Sequence, residues 1–132
     1  MLYMLDTNII SDLVKNPSGK AAAHIRRVGD DALCTSIVVA AELRYGVAKK
    51  GSSVLAERVD ALLRELPVLP FDVPANGEYG ALRASLEAKG LPIGGNDLFI
   101  AAHALSLGKT LVTANVREFA RIDGLSVENW LE

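Results

Sequence analysis

Leu2-Tyr3-Met4-Leu5-Asp6-Thr7-Asn8-Ile9-Ile10 decides the fold. Four apolar residues in a row stop at an aspartate, and a second apolar pattern then starts with helical spacing at Ile9, Ile10, Leu13 and Val14, ending at Asn16-Pro17. The first run is too short for a helix and reads as a buried strand, and the second reads as a helix. The same alternation continues outward. Residues 18–28 predict a second helix and residues 32–35 a short strand, with Ser36 capping a helix that runs to about Lys50. Residues 54–66 carry Leu55, Val59, Leu62, Leu63 and Leu66 on one stripe, residues 68–71 predict a strand, and residues 75–89 predict a helix closed by Gly90. Asn96 is expected to cap an apolar helix over 97–107, followed by a strand over 110–113, a short helix over 116–122 and a last strand near 125–127. Strands separated by helices need crossovers, which are right-handed, so the chain is expected to be α/β, with a parallel sheet covered by helices on both faces.

With 132 residues, no internal repeat and no long linker, residues 1–132 are expected to form one domain. Half the residues are hydrophobic and 23% are charged, which excludes disordered and low-complexity classes. The longest apolar stretches (2–5, 37–41 and 98–102) fall far short of the ~18 residues that a membrane span needs, so no membrane is expected. The N-terminal run has no basic lead and no cleavage motif, and Cys34 has no cysteine to pair with. Both features point to a cytoplasmic, reducing location. Cys34 itself, between Leu33 and Thr35, reads as a small core residue. The net charge of −2 opposes a polyanionic partner, unless several acids hold divalent cations.

In open parallel sheets, ligands bind beyond the carboxyl ends of the strands. Asp6, Ser36 and Asn115 follow predicted strands. Asp6 alone reads as a helix cap. Glu42 is the only charged residue from Ser36 through Leu43, in a helix apolar nearly all round, so its carboxylate is expected to face a cleft or a ligand. Neither Arg44 nor Lys49 has the favoured spacing to pair with it, and Gly46 lies one turn on, in a packing or access role. Asp97 heads an apolar stripe with Ile100, Ala101 and Ala104, and Asn115, Arg117 and Glu118 cluster after the fourth strand. Asp6, Glu42, Asp97 and Glu118 would repel one another without a cation, and hard ions such as Mg2+ choose such oxygen ligands. No nucleophile elbow and no phosphate loop is present. His24 and His103 lack ligand spacing, His103 reads as a hydrogen-bonded packing residue, and Trp130 is expected to tie the C-terminus to the body.

Four segments in order resemble the PIN domain family, specifically the VapC ribonuclease toxins: Met4-Leu5-Asp6-Thr7-Asn8, Ala41-Glu42-Leu43-Arg44-Tyr45-Gly46, residues 92–104 around Asn96-Asp97, and residues 111–119 around Thr113-Ala114-Asn115. The resemblance runs essentially end to end. It implies a three-layer fold with a five-stranded parallel sheet, metal-dependent endonuclease activity on RNA and a small VapB-like antitoxin partner; a homodimer is also expected. The family's first three acids fall on Asp6, Glu42 and Asp97, and its fourth on Asn115 or Glu118, which stay open as alternatives. On this basis Asp6 and Asp97 would hold Mg2+ or Mn2+, and Glu42 would bind the ion through water or orient the nucleophile. Thr7 and Asn8 would hold the Asp6 carboxylate, and Arg44 and Arg117 would meet RNA phosphates. The alternative is a PIN scaffold that binds RNA or protein without cutting. A phosphohydrolase of the haloacid dehalogenase type is opposed by Asn8, where that family carries its second aspartate.

Overall fold

Tyr3–Leu5 forms strand β1, with Met4 and Leu5 fully buried, as expected of a strand covered on both faces. A computed structural model describes residues 1–132. Helices α1 (Thr7–Lys15) and α2 (Lys20–Val28) follow, then a 3-10 turn at Asp30–Ala32 and strand β2 (Leu33–Ser36). Helices α3 (Ile37–Lys50) and α4 (Ser53–Glu65), strand β3 (Val68–Leu69), and helices α5 (Ala75–Ala88) and α6 (Gly95–Ser106) come next. Strand β4 (Thr110–Val112), helix α7 (Val116–Phe119) and strand β5 (Val127–Glu128) complete the chain. All strand pairs are parallel, in the order β3-β2-β1-β4-β5, giving the expected α/β architecture with a five-stranded sheet.

Register is continuous across the centre: Met4 pairs with Cys34 on one side and Leu111 on the other. The chain leaves β1 toward β2 and β3, then returns to β4 on its opposite side, so right-handed crossovers put the two sets of helices on opposite faces. Correspondingly, α1 packs on α2, α3 and α4, while α5 packs on α6. No helix is long and apolar enough to cross a membrane.

Several boundaries differ from the sequence expectation, each for a local reason. Gly19, not Ser18, is the N-cap of α2, because Pro17-Ser18 sits in a turn. β3 stops after two residues at Pro70, which has no N–H to continue the ladder. The last strand lies later, at Val127–Glu128, although Leu111 N already donates to Ser126 O (2.8 Å). α7 ends at Phe119, where the chain turns. Gly94 is the N-cap of α6, with no side-chain bond, and Asn96 sits inside the first turn instead of capping it. α3 is not buried all round: Ile37 and Tyr45 stay 47% and 67% exposed, and Ala41 between them is also exposed.

Two interior polar features came out as expected. His103 is buried and its Nδ1 meets Ser36 Oγ at 2.8 Å; Ser36 also accepts from Val38 N, so one hydroxyl joins α6 to the N-terminus of α3. Burial pushes the His103 pKa down, which keeps a neutral ring there. Trp130 is buried with its ring edge-on to Tyr3 (5.0 Å between centroids) and stacked on His24 (5.3 Å), while Nε1 donates to Glu128. It pins the C-terminal segment to the first strand and to α2. Trp130→Ala should lower stability by about 3–5 kcal/mol, the usual cost of truncating a buried tryptophan. A urea unfolding curve would read this as a lower midpoint, and an unchanged midpoint would remove Trp130 from the core.

Candidate active site

The strand order reverses at β1, so the crevice beyond the carboxyl ends of β1 and β4 is the topological switch point where α/β sheets bind ligands. Asp6 follows β1 and Thr113 follows β4 at this point. Asp6 is only 3% exposed, and both of its oxygens are engaged. Oδ1 accepts from Thr7 N and Oδ2 from the Thr113 hydroxyl, each at 2.7 Å. The helix-cap and site readings of Asp6 are therefore one arrangement. Thr113, fully buried, also accepts from Asn115 N at 3.0 Å and from Asn8 Nδ2 at 3.4 Å, while Asn8 Oδ1 accepts from Ala114 N at 3.0 Å. Asn8 thus supports Asp6 through Thr113, not directly. Thr7 holds Asp6 through its backbone, and its hydroxyl instead donates to Glu42 Oε1 at 2.5 Å.

Glu42 projects from α3, and its other oxygen accepts from Asn96 Nδ2, in the first turn of α6, at 3.3 Å. Asp97 lies in the first turn of α6. Asn115 Nδ2 reaches Glu118 Oε2 at 3.0 Å and, at the 3.5 Å limit, Asp97 Oδ2. Glu118 Oε1 accepts from Gly94 N at 3.2 Å, whereas Arg121 donates to Pro92 O, so Glu118 turns into the site and not toward Arg121. Asp6, Glu42, Asp97, Asn115 and Glu118 are therefore brought into one network, and both residues considered for the fourth position belong to it. Arg117 is exposed on α7 and Arg44 is turned toward α4, where it pairs with Asp60. Gly46 lines a groove with Thr7 and Glu42, and a Cβ there would meet nothing within 4 Å, so no close packing requires the glycine.

Negative charge dominates this crevice. The Asp97 pKa is pushed up to about 7, first by burial and then by the neighbouring Asp6, Glu118 and Glu42. Asp6 is also raised by burial, with the bonds from Thr113 and Thr7 pulling the other way. The donor set is all oxygen, and it suits a hard cation. No three acidic, histidine or cysteine side chains stand close enough to enclose an ion by themselves.

The family profile described as "PIN domain" matches residues 3–125. The chain belongs to the PIN domain family. This PIN domain is 42% identical over 132 residues to Ribonuclease VapC2 of Rickettsia felis, covering 98% of each chain. It is 38% identical over 135 residues to the tRNA(fMet)-specific endonuclease VapC of Salmonella typhimurium, covering 97% of each. The crystal structure of VapBC2 from Rickettsia felis bound to a DNA fragment from their promoter superposes with a TM-score of 0.89 at 38% identity, over 98% of this chain and 99% of that one. The resemblance read from the four segments is therefore correct for family and fold. Thr113 is the site residue that sequence reasoning passed over. Residues 110–113 read as one strand, and only the placement of β4 beside β1 brings Thr113 against Asp6.

Asp97 gives the metal-free PIN domain a pH dependence with a definite sign. Its folded pKa lies above the ordinary carboxylate value, so between about 4 and about 7 the folded state holds a proton that the unfolded chain releases. Stability is therefore highest below this window and falls as pH rises through it. Urea midpoints at pH 5 and pH 8, taken in chelator, should show this decline. Asp97→Asn should reduce it and raise the midpoint at pH 8. A variant with the parent's full decline would mean that Asp97 is not under this strain.

Proposed function

We propose that this PIN domain is a Mg2+-dependent endoribonuclease toxin, with Mn2+ as a substitute, that hydrolyses RNA phosphodiester bonds and is neutralised by a VapB-like antitoxin. The observation that carries the reading is the convergence of Asp6, Glu42, Asp97 and Glu118, from four separate elements, at the sheet's switch point. Relatives named ribonuclease and endonuclease, and a similar structure titled VapBC2, support it. A scaffold that only bound RNA would gain nothing from carboxylates that repel phosphate, so the non-cleaving alternative is less well supported.

Asp6 and Asp97 would hold the cation, Glu42 would hold it through water or orient the attacking water, and Glu118 would complete the acidic set. When bound, the ion supplies a more acidic water for in-line attack and neutralises charge building on the phosphate oxygens. Thr7 and Thr113 fix the carboxylates beforehand, so little reorganisation is left for the reaction. Asn115 holds Glu118 and leans toward Asp97, which lets one neutral amide sit between two acids. Arg117 is free for a phosphate contact, and Arg44 would have to exchange Asp60 for one.

The test is to incubate the pure protein with total RNA, with and without Mg2+, and to sequence the new ends. Defined, Mg2+-dependent ends are expected. Asp6→Asn and Asp97→Asn should each lower the rate by about 10²–10³-fold, the scale of one lost charge-stabilising interaction. Glu118→Gln should lose much of the rate and weaken the Mg2+ dependence, whereas Asn115→Asp should be tolerated. Wild-type rates in the Asp6 and Asp97 variants at saturating Mg2+ would remove the mechanism.

The antitoxin would lie in the apolar groove of about 450 Å³ between α1, α2 and α4, walled by Leu13, Ala22, Ile25, Leu62 and Leu66. A helix with apolar anchors at three- and four-residue spacing fits such a groove. A second copy of the chain would cover the exposed Ile37, Ala41 and Tyr45 face of α3. Hydrogen exchange of the purified pair should show protection of residues 18–28 and 54–66 on adding antitoxin. Protection confined elsewhere would move the antitoxin site.

A further inference from the structure

The cavity between α5 and α6 takes no part in the site described so far. Its volume is about 170 Å³, below the ~300 Å³ where small-molecule sites begin, which suits a single ring system. Leu86 and Leu98, both buried, form its floor, and Ile93 flanks it. Arg83 and Glu87 stand on its rim. The Arg83 guanidinium is held at both ends: Nε donates to Glu87 Oε2 at 3.2 Å and Nη1 donates to the Tyr79 hydroxyl at 3.0 Å. Tyr79 is itself fixed by stacking on Phe99, with centroids 4.2 Å apart and planes 8° from parallel. Arg83 Nη2 and Glu87 Oε1 have no protein partner, so this exposed ion pair lining the cavity keeps a donor and an acceptor free.

The cavity adjoins the acids. Gly95, at one end of it, opens α6 two residues before Asp97, and the preceding Gly94 N–H is held by Glu118. A strand whose phosphate lay at the acids would pass a neighbouring base over this opening.

We propose that the α5–α6 cavity takes a guanine base flanking the phosphate at the acidic site, a proposal that rests on the ribonuclease reading above. The apolar floor accepts the ring face, and the rim reads its edge. Guanine offers O6 as an acceptor to Arg83, beside two adjacent donors, the ring N–H and the exocyclic amine, for the two oxygens of the Glu87 carboxylate, Oε2 accepting a second bond beside that from Arg83 Nε. Adenine presents the carboxylate with one donor, and no pyrimidine presents two adjacent donors. Selection therefore comes from Glu87, while Arg83 holds the carboxylate in place and contributes the complementary donor.

The experiment uses the full chain carrying Asp97→Asn and short fluorescent RNAs that differ at one base: guanine, hypoxanthine (guanine without its exocyclic amine) or adenine. Anisotropy titrations should show guanine bound about tenfold more tightly than adenine, with hypoxanthine between them. Adding Glu87→Gln should bring all three to the adenine value, and wild-type cleavage ends in total RNA should cluster beside guanine. Equal affinities in the Asp97→Asn protein, or a guanine preference that survives Glu87→Gln, would overturn the proposal. So would a uniform weakening by Arg83→Ala with a shallower salt dependence, which would make Arg83 a phosphate contact. The two readings fail separately. Mg2+-dependent cleavage without base preference removes the guanine subsite alone, guanine-selective binding without any cleavage removes the nuclease alone, and absence of RNA binding removes both.

Discussion

A single buried carboxylate organises this molecule. Asp6 is almost wholly removed from solvent, and an ionised group there is tolerable only with donors on both oxygens. The first donor is the backbone of α1 and the second is Thr113, so the same carboxylate starts a helix and joins the end of β1 to the end of β4. The rest of the crevice is arranged from these two bonds. Thr113 orients Asn115, Asn115 orients Glu118, Glu118 holds the backbone where α6 begins, and Asp97 sits in that helix's first turn. From the other side, Thr7 reaches Glu42, and Glu42 draws in Asn96.

The stability of the fold and the chemistry of the site pull in opposite directions here. The apolar interior around Met4, Ile9, Ile100 and Leu111 is continuous beneath the sheet's centre. Above it the hydrogen-bond network brings acids together with hydroxyls and amides, which can orient a carboxylate but cannot neutralise it. The raised Asp97 pKa records the resulting repulsion. Hydroxyls and amides also leave the charge available to a cation, which a lysine or arginine in the same place would remove. The His103 bond to Ser36 lies just inside this layer and ties the two helices that carry Glu42 and Asp97.

Much of this was legible in the amino-acid order. Short apolar runs ending in polar residues marked the strands, and the placement of Asp6, Glu42, Asp97, Asn115 and Glu118 marked the crevice. What could not be read was partner choice among polar side chains. Asn96 has the residue type of a helix cap, yet a side-chain-free Gly94 takes the terminus and the Asn96 amide donates instead to Glu42 on another helix. Thr113 could not be told from an ordinary strand residue until β4 was seen beside β1. The sequence period also overstated the burial of α3, because an apolar residue such as Tyr45 carries no mark of which side the core lies on.

The order of the strands also sets when the molecule can exist during synthesis. β1 is made first but occupies the middle of the sheet, and one of its neighbours, β4, is made near the end. The bond from Thr113 to Asp6 closes a separation of 107 residues, and Trp130 reaches back to Tyr3 across still more chain. Contacts this distant in sequence are slow to form and leave the early segments without their partners on the ribosome. A nascent chain that already contains Asp6, Glu42 and Asp97 still lacks Thr113, the donor that joins Asp6 to the end of β4. The acidic centre is assembled only after nearly all of the polypeptide has emerged.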